Sequence, residues 1–168
     1  MAFDSDVAYV SAEYVDMNFH IDEGETMAVI KKREEEAEEA KKKALEDTNA
    51  AIIAEEDDLR LLAALIQCEA GSETYQGQLA VGAVVMNRVR SGAYPNTISG
   101  VIYASGQFTP AMNGKVAKTY YNGNVSASCY QAAQDAMAGA TNVGDATHFR
   151  RAATTTHEGI LIDNQIFW

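Results

Sequence analysis

Proline is nearly missing from this 168-residue chain: there are two, Pro95 and Pro110. From Glu25 to Ala70 there is neither a proline nor a glycine, so nothing in that stretch forces a helix to stop. Histidine and cysteine are also scarce. His20, His148 and His157 are not spaced to share a metal with Cys68 and Cys129, and two cysteines fall short of the four ligands of a structural zinc site. No metal or cofactor is expected. No apolar run approaches the roughly 20 residues that span a bilayer, and the first residues lack the basic-then-apolar order of a secretory leader.

Basic charge is scarce as well, and unevenly so. The formal net charge is −11. Residues 1–58 carry 18 acidic against 6 basic side chains, a net of −12, and residues 59–168 carry 6 against 7, a net of +1. No basic face is available to neutralise phosphates, which excludes nucleic acid as a partner class. There is also no glycine-rich phosphate loop, no His-Glu-x-x-His and no Gly-x-Ser-x-Gly.

What is present divides the chain into three. Residues 1–24 mix Asp, Tyr, Phe and Val with little periodicity and read as an irregular arm. Residues 25–57 place opposite charges at helical spacing, as in Glu38 with Lys42 and Glu39 with Lys43, and read as a solvated helical linker. Ala37, Ala40, Ala44 and Leu45 are too weak for a sustained coiled-coil seam. Residues 58–168 form the compact domain, whose first helix is expected at Leu59 behind a cap from Asp57 or Asp58.

Within that domain the pattern predicts helices over 59–70, 75–90, a short one from Ile98 capped by Thr97, another near 115–121, and one over 127–138 behind Ser126. Gly77 and Gly82 inside the second helix suggest close packing on a neighbour. Residues 105–110 read as a loop. Residues 146–151 and 159–162 favour strands, with Asp163-Asn164 turning the chain back onto Ile166-Phe167-Trp168. The fold class is α+β, mostly α, with a small C-terminal sheet.

Glu69 is the leading candidate for chemistry. It ends the apolar run Leu61–Ile66 just before Gly71. A carboxyl in apolar surroundings holds its proton to higher pH and can donate it to a leaving oxygen; the plain alternative is a surface glutamate at a frayed helix end. Glu73, four residues on, either raises the pKa of Glu69 by repulsion or simply opens the next helix, where negative charge is favoured. Glycoside cleavage usually takes two flanking carboxyls, and no second one is obvious. The loop Gln107-Phe108-Thr109 and the aromatics Tyr94, Tyr103, Tyr120, Tyr121, Phe149 and Trp168 suit a sugar cleft, though any one of them is more readily core. Arg88 lies in an apolar helix and calls for a carboxylate, for which Glu69 or Glu73 would serve. Cys68 and Cys129 are either buried thiols or one disulfide worth about 4 kcal/mol in the chain-entropy model.

Taken together, several segments resemble the cell wall hydrolases of the SleB/CwlJ, spore cortex-lytic type. They are Glu69-Ala70-Gly71-Ser72-Glu73, Ala80–Val89 with its Asn87-Arg88, Tyr94–Ile98, Gly100–Tyr103, Gly106–Pro110, Ala132–Gly139 and His148-Phe149. The resemblance covers residues 58–168 and none of 1–57. It implies a lysozyme-like fold, related to resuscitation-promoting factors and lytic transglycosylases, with Glu69 as the catalytic acid. It implies cleavage of peptidoglycan between N-acetylmuramic acid and N-acetylglucosamine without a cofactor. A lytic transglycosylase, whose single glutamate closes a 1,6-anhydro ring, is the first expectation. The alternatives are a hydrolytic muramidase, or a weakly active wall-binding module whose charged helix docks a protein partner.

Substrate contacts are expected from Glu73, Tyr103, Gln107, Phe108, Phe149 and Gln165. An envelope or spore-cortex location would favour the Cys68–Cys129 disulfide and a leader lying outside this chain. The C-terminal motif departs from the family pattern. Asp163 stands where a glycine is usual and Gln165 where a histidine is, which bears on substrate binding.

Overall fold

The computed structural model describes residues 26–168. The arm expected over residues 1–24 lies outside the described residues. The described residues fall into two units divided between Leu45 and Glu46, and the division falls within the first helix, α1 (Met27–Ala70).

In the first unit the described residues after Thr26 belong to α1, and their side chains are almost all exposed. After the uncharged first turn, residues 27–30, every turn there carries charge, so no stripe is apolar enough to be covered. Lys31–Glu35 and Lys32–Glu36 close at 3.8 and 3.7 Å. Such exposed i,i+4 pairs contribute about 0.3–0.5 kcal/mol each.

The second unit begins inside the same helix. α1 does not restart at Leu59: residues 57 and 58 are helical, because no proline or glycine interrupts the backbone ladder. Asp57 is therefore not a cap. Its carboxylate accepts from the Tyr120 hydroxyl at 2.9 Å. From Leu62 to Ile66 the helix is apolar on every side and fully buried, as expected of a helix at the centre of a core.

Around it lie α2 (Tyr75–Arg90), α3 (Ile98–Tyr103), α4 (Thr109–Met112), α5 (Lys115–Asn122) and α6 (Ala127–Met137). Thr97 caps α3 by accepting from Gly100 N, and Ser126 caps α6 by accepting from Cys129 N. Residues 105–110 are not wholly loop, since Thr109 and Pro110 open the single turn of α4; proline suits the first turn of a helix because its missing N–H would be unpaired there anyway. α2 packs closely on α6. A Cβ on Gly82 would stand 3.0 Å from Ala136 Cβ and 3.1 Å from Ile66 Cδ1, so glycine permits the approach.

Three short strands close the domain: β1 (Phe149–Arg151), β2 (Ile160–Ile162) and β3 (Gln165–Phe167). β3 lies between the other two, antiparallel to both. Asp163-Asn164 makes the β2–β3 turn, with Asp163 in the left-handed region at φ 51°. Phe167, fully buried, packs on Phe149 at 5.6 Å between ring centroids and pins the sheet to the helices.

Candidate active site

The last turn of α1 ends in a cleft of about 680 Å³. Glu69 and Glu73 line it, with Gln67, Ser72, Lys115, Phe149, Arg150, Arg151 and Gln165. Three parts of the fold meet here: the end of α1 with its following turn, the start of α5, and the sheet of β1 and β3.

Glu69 is placed by the rigid lower half of α1. Gln67 anchors that end, its side-chain oxygen accepting from Ser126 N at 2.9 Å and so joining α1 to the cap of α6. Partial burial of the Glu69 carboxyl pushes its pKa above the ordinary 4.5, against a smaller opposing pull from the Lys115 cation. An acid held towards its neutral form, open to a cleft, can give a proton away.

Glu73 sits in the turn between α1 and α2, and its environment is polar. Asn164 donates to its carboxylate at 3.2 Å. Its carbonyl accepts from the buried Gln78 side chain at 3.1 Å, and Gln78 in turn accepts from Ser128 of α6 at 2.6 Å. The turn is thus held from two sides, by the sheet and by α6.

Asp163 completes this clamp. Its carboxylate accepts from Thr74 N at 3.1 Å and from the Thr74 hydroxyl at 2.9 and 3.1 Å. Thr74 is the N-cap of α2, where negative charge is favoured by the helix dipole. Asp163 does not line the cleft. The departure from glycine at this position serves the helix cap, not a substrate contact.

Gln165 is only 8 % exposed, and its Oε1 has no hydrogen-bond partner among the described residues. It faces Arg151 and Ile162 across the sheet. Lacking a charge, it cannot titrate as histidine would, but it brings an acceptor to the cleft.

The other expected contacts lie elsewhere. Phe108 is 2 % exposed and packs on Phe149 at 6.3 Å between centroids, in the core and out of reach of a ligand. Gln107 is exposed but does not line the cleft. Tyr103 borders a separate pocket with Asp57, Asp58, Tyr120 and Tyr121.

Arg88 corrects a further expectation. It has no carboxylate partner among the described residues. Its Nε donates to Thr147 O at 2.7 Å, and its guanidinium lies over the rings of Phe108 and Tyr94 at 5.0 and 5.2 Å. The aromatic faces attract the cation, while its Nη1 is buried without a hydrogen-bond partner among the described residues. The neighbouring Asn87 donates to Gly144 O and Ala146 O, each at 2.9 Å. Asn87-Arg88 thereby anchors the segment that leads into β1 and carries Phe149, Arg150 and Arg151 to the cleft.

The disulfide is absent. Cys68 and Cys129 are free thiols, and Cys68 Sγ lies 3.5 Å from the Thr119 hydroxyl. Asp135 accepts from the Tyr75 hydroxyl and from Gln131. His148 is not in the cleft. It stacks on Trp168 at 5.6 Å, with Trp168 also stacked on His157 at 4.3 Å. No group of His, Cys, Asp and Glu among the described residues is arranged to hold a metal ion.

Sequence reasoning did not single out Lys115, Arg150 or Arg151 as cleft residues. The one available signal was the strand after His148, in which two arginines follow Phe149; nothing local announces that Lys115, at the start of α5, faces Glu69.

Comparison with known proteins agrees with this geometry. Residues 72–166 match the family model described as Cell Wall Hydrolase. The match opens after Glu69, so the case for that residue rests on its place in the cleft. The spore cortex-lytic enzyme of Bacillus cereus is 37% identical over 109 residues, 65% of this chain and 40% of that protein. That of Oceanobacillus iheyensis is 35% identical over 109 residues, 65% of this chain and 38% of its own length. The chain thus spans about two fifths of the curated relatives it matches.

Among solved structures, the catalytic domain of the germination-specific lytic transglycosylase SleB from Bacillus anthracis superposes with a TM-score of 0.58 at 31% identity. It covers 66% of this chain and 93% of that one. The catalytic domain of Bacillus cereus SleB gives 0.59 at 32%, covering 67% and 89%. These neighbours make the fold lysozyme-like. With more than half its length inside the family model, and with a SleB-like catalytic fold around the Glu69 cleft, the chain belongs to the cell wall hydrolase family.

Proposed function

We propose that this protein cleaves peptidoglycan glycan strands between N-acetylmuramic acid and N-acetylglucosamine, with Glu69 as the acid. The observation that carries the reading is a half-buried carboxyl with a raised pKa opening into a cleft large enough for sugar residues. The sequence relatives named as spore cortex-lytic enzymes, and the neighbour titled a lytic transglycosylase, support it.

In this reaction Glu69 protonates the bridging oxygen while positive charge builds on the muramyl ring. The resulting carboxylate then takes the proton of the C6 hydroxyl as that oxygen closes on C1, giving a 1,6-anhydro product. One acid serves both steps, which suits a cleft whose other carboxylate, Glu73, is occupied by Asn164. Phe149 offers a ring to a sugar face, and Gln165 an acceptor to an acetamido N–H.

Hydrolysis by a water is the second reading, and the presence of Glu73 in the same cleft favours it. Mass spectrometry of muropeptides from purified sacculi separates the two, since anhydro ends are lighter by one water. Glu69→Gln is expected to fold normally and to lose about 10²–10⁴-fold in rate. Full activity in that variant would overturn the assignment. The site of action in this reading is the envelope or spore cortex, and the charged helix of residues 25–57 is a spacer or a protein-docking element.

A further inference from the structure

Seven lysines and arginines follow residue 58, and three of them, Lys115, Arg150 and Arg151, line the Glu69 cleft. All three are exposed. None forms a salt bridge with any described residue. In a chain of net charge −11 this is a local reversal of sign.

The carboxylates in the cleft do not balance it. Glu69 is held towards its neutral form by burial, and Glu73 accepts from the Asn164 amide. The cleft wall carries three cations, Lys115, Arg150 and Arg151, against two carboxylates, Glu69 and Glu73. Arginine and lysine side chains are donors only, and a concave wall concentrates their field. Hydroxyl and acetamido groups of a neutral glycan do not call for three cations, whereas carboxylates do. A second, independent observation lies in the same cleft: Gln165 Oε1 is buried without a partner and calls for a donor. A muramyl residue that bears an ionised carboxylate and an acetamido N–H supplies both.

We propose that the cleft selects muramyl residues carrying an ionised carboxylate, on the lactyl group or on its peptide stem, through Lys115, Arg150 and Arg151. The proposal rests on the reading that peptidoglycan strands occupy this cleft, and it adds which strands.

The test uses Glu69→Gln protein, so that binding is read without turnover. It is sedimented with teichoic-acid-free sacculi in three forms: native, with carboxylates amidated, and with stems removed to leave the lactyl carboxylate. Free amines are acetylated in all three so that only carboxylates differ. Amidation is expected to weaken retention roughly tenfold, and added salt to do the same to native sacculi. Retention of the stem-free form assigns the contact to the lactyl carboxylate, and its loss assigns it to the stem.

Adding Arg150→Gln and Arg151→Gln is expected to weaken binding to native sacculi equally and to abolish the effect of amidation. Arg150→Lys with Arg151→Lys is expected to restore both. Equal retention on native and amidated sacculi, or none on native sacculi, overturns the proposal. Cleavage by the unmodified protein is measured separately, so failure of the selectivity is distinguishable from failure of the activity.

Discussion

Glu69 and Lys115 act on one another through space, and the sign of that effect is testable. Burial raises the Glu69 pKa and Lys115 lowers it. A general acid works while protonated, so the rate is expected to be held below the raised pKa and to fall as pH rises through it. Lys115→Gln removes the opposing pull, and the alkaline limb of the pH–rate profile is expected to move up. A limb that stays in place, or moves down, would remove Glu69 as the group behind it.

The same burial has a stability consequence. A carboxyl whose folded pKa lies above its unfolded one destabilises the fold once it must ionise. Below the ordinary value of 4.5 it is protonated in both states and there is no penalty. Glu69→Gln is therefore expected to melt above the unmodified protein at neutral pH, the gap closing as pH falls below that value. Melting curves at the two pH values check this, and a gap that widens with acid contradicts it.

At the level of elements, the β2–β3 turn and the N-terminus of α2 form one unit. A Cβ on Gly77 would collide with the Asp163 carboxylate that caps Thr74. Gly77→Ala is expected to cost about 1–3 kcal/mol. Asp163→Gly relieves the left-handed φ at residue 163 but loses the hydrogen bonds that hold the Thr74 cap, with an expected net cost of about 1 kcal/mol. The two should not add: in the Asp163→Gly background Gly77→Ala is expected to be much milder. A denaturant double-mutant cycle measures the coupling, and strict additivity would show that the two residues do not meet.

Elements also show what a linear reading handles and what it misses. Helices 75–90 and 98–103 are legible because caps and apolar periodicity are local properties. The supposed helix start at Leu59 was misread for a physical reason. Asp57 has the chemistry of a cap, but a cap forms only where the backbone leaves the helix, and here its carboxylate instead meets Tyr120, 63 positions away.

For the whole molecule, the buried core spans Leu62 to Phe167 and lies within the second unit. Among the described residues of the first unit none is part of that core. A chain beginning at Glu46 is expected to unfold cooperatively with the same midpoint as the full chain, as read by circular dichroism or calorimetry. A large drop would mean that residues 1–45 stabilise the second unit.

What the sequence determined alone is the set of properties carried by neighbours along the chain. These are the mostly helical fold, the charged helix without a core face, the C-terminal hairpin, and a family resemblance strong enough to single out Glu69. Tertiary structure alone decided who meets whom. It placed Phe149 and Gln165 beside Glu69 and sent Phe108 into the core and Tyr103 to another pocket. It gave Arg88 aromatic rings in place of a carboxylate, left the cysteines as thiols, and brought three cations to the cleft. The reason is that capping and amphipathic patterning act over a few residues. The cleft joins a helix end, the start of α5 and two strands from distant parts of the chain, and only the packed core sets their separation.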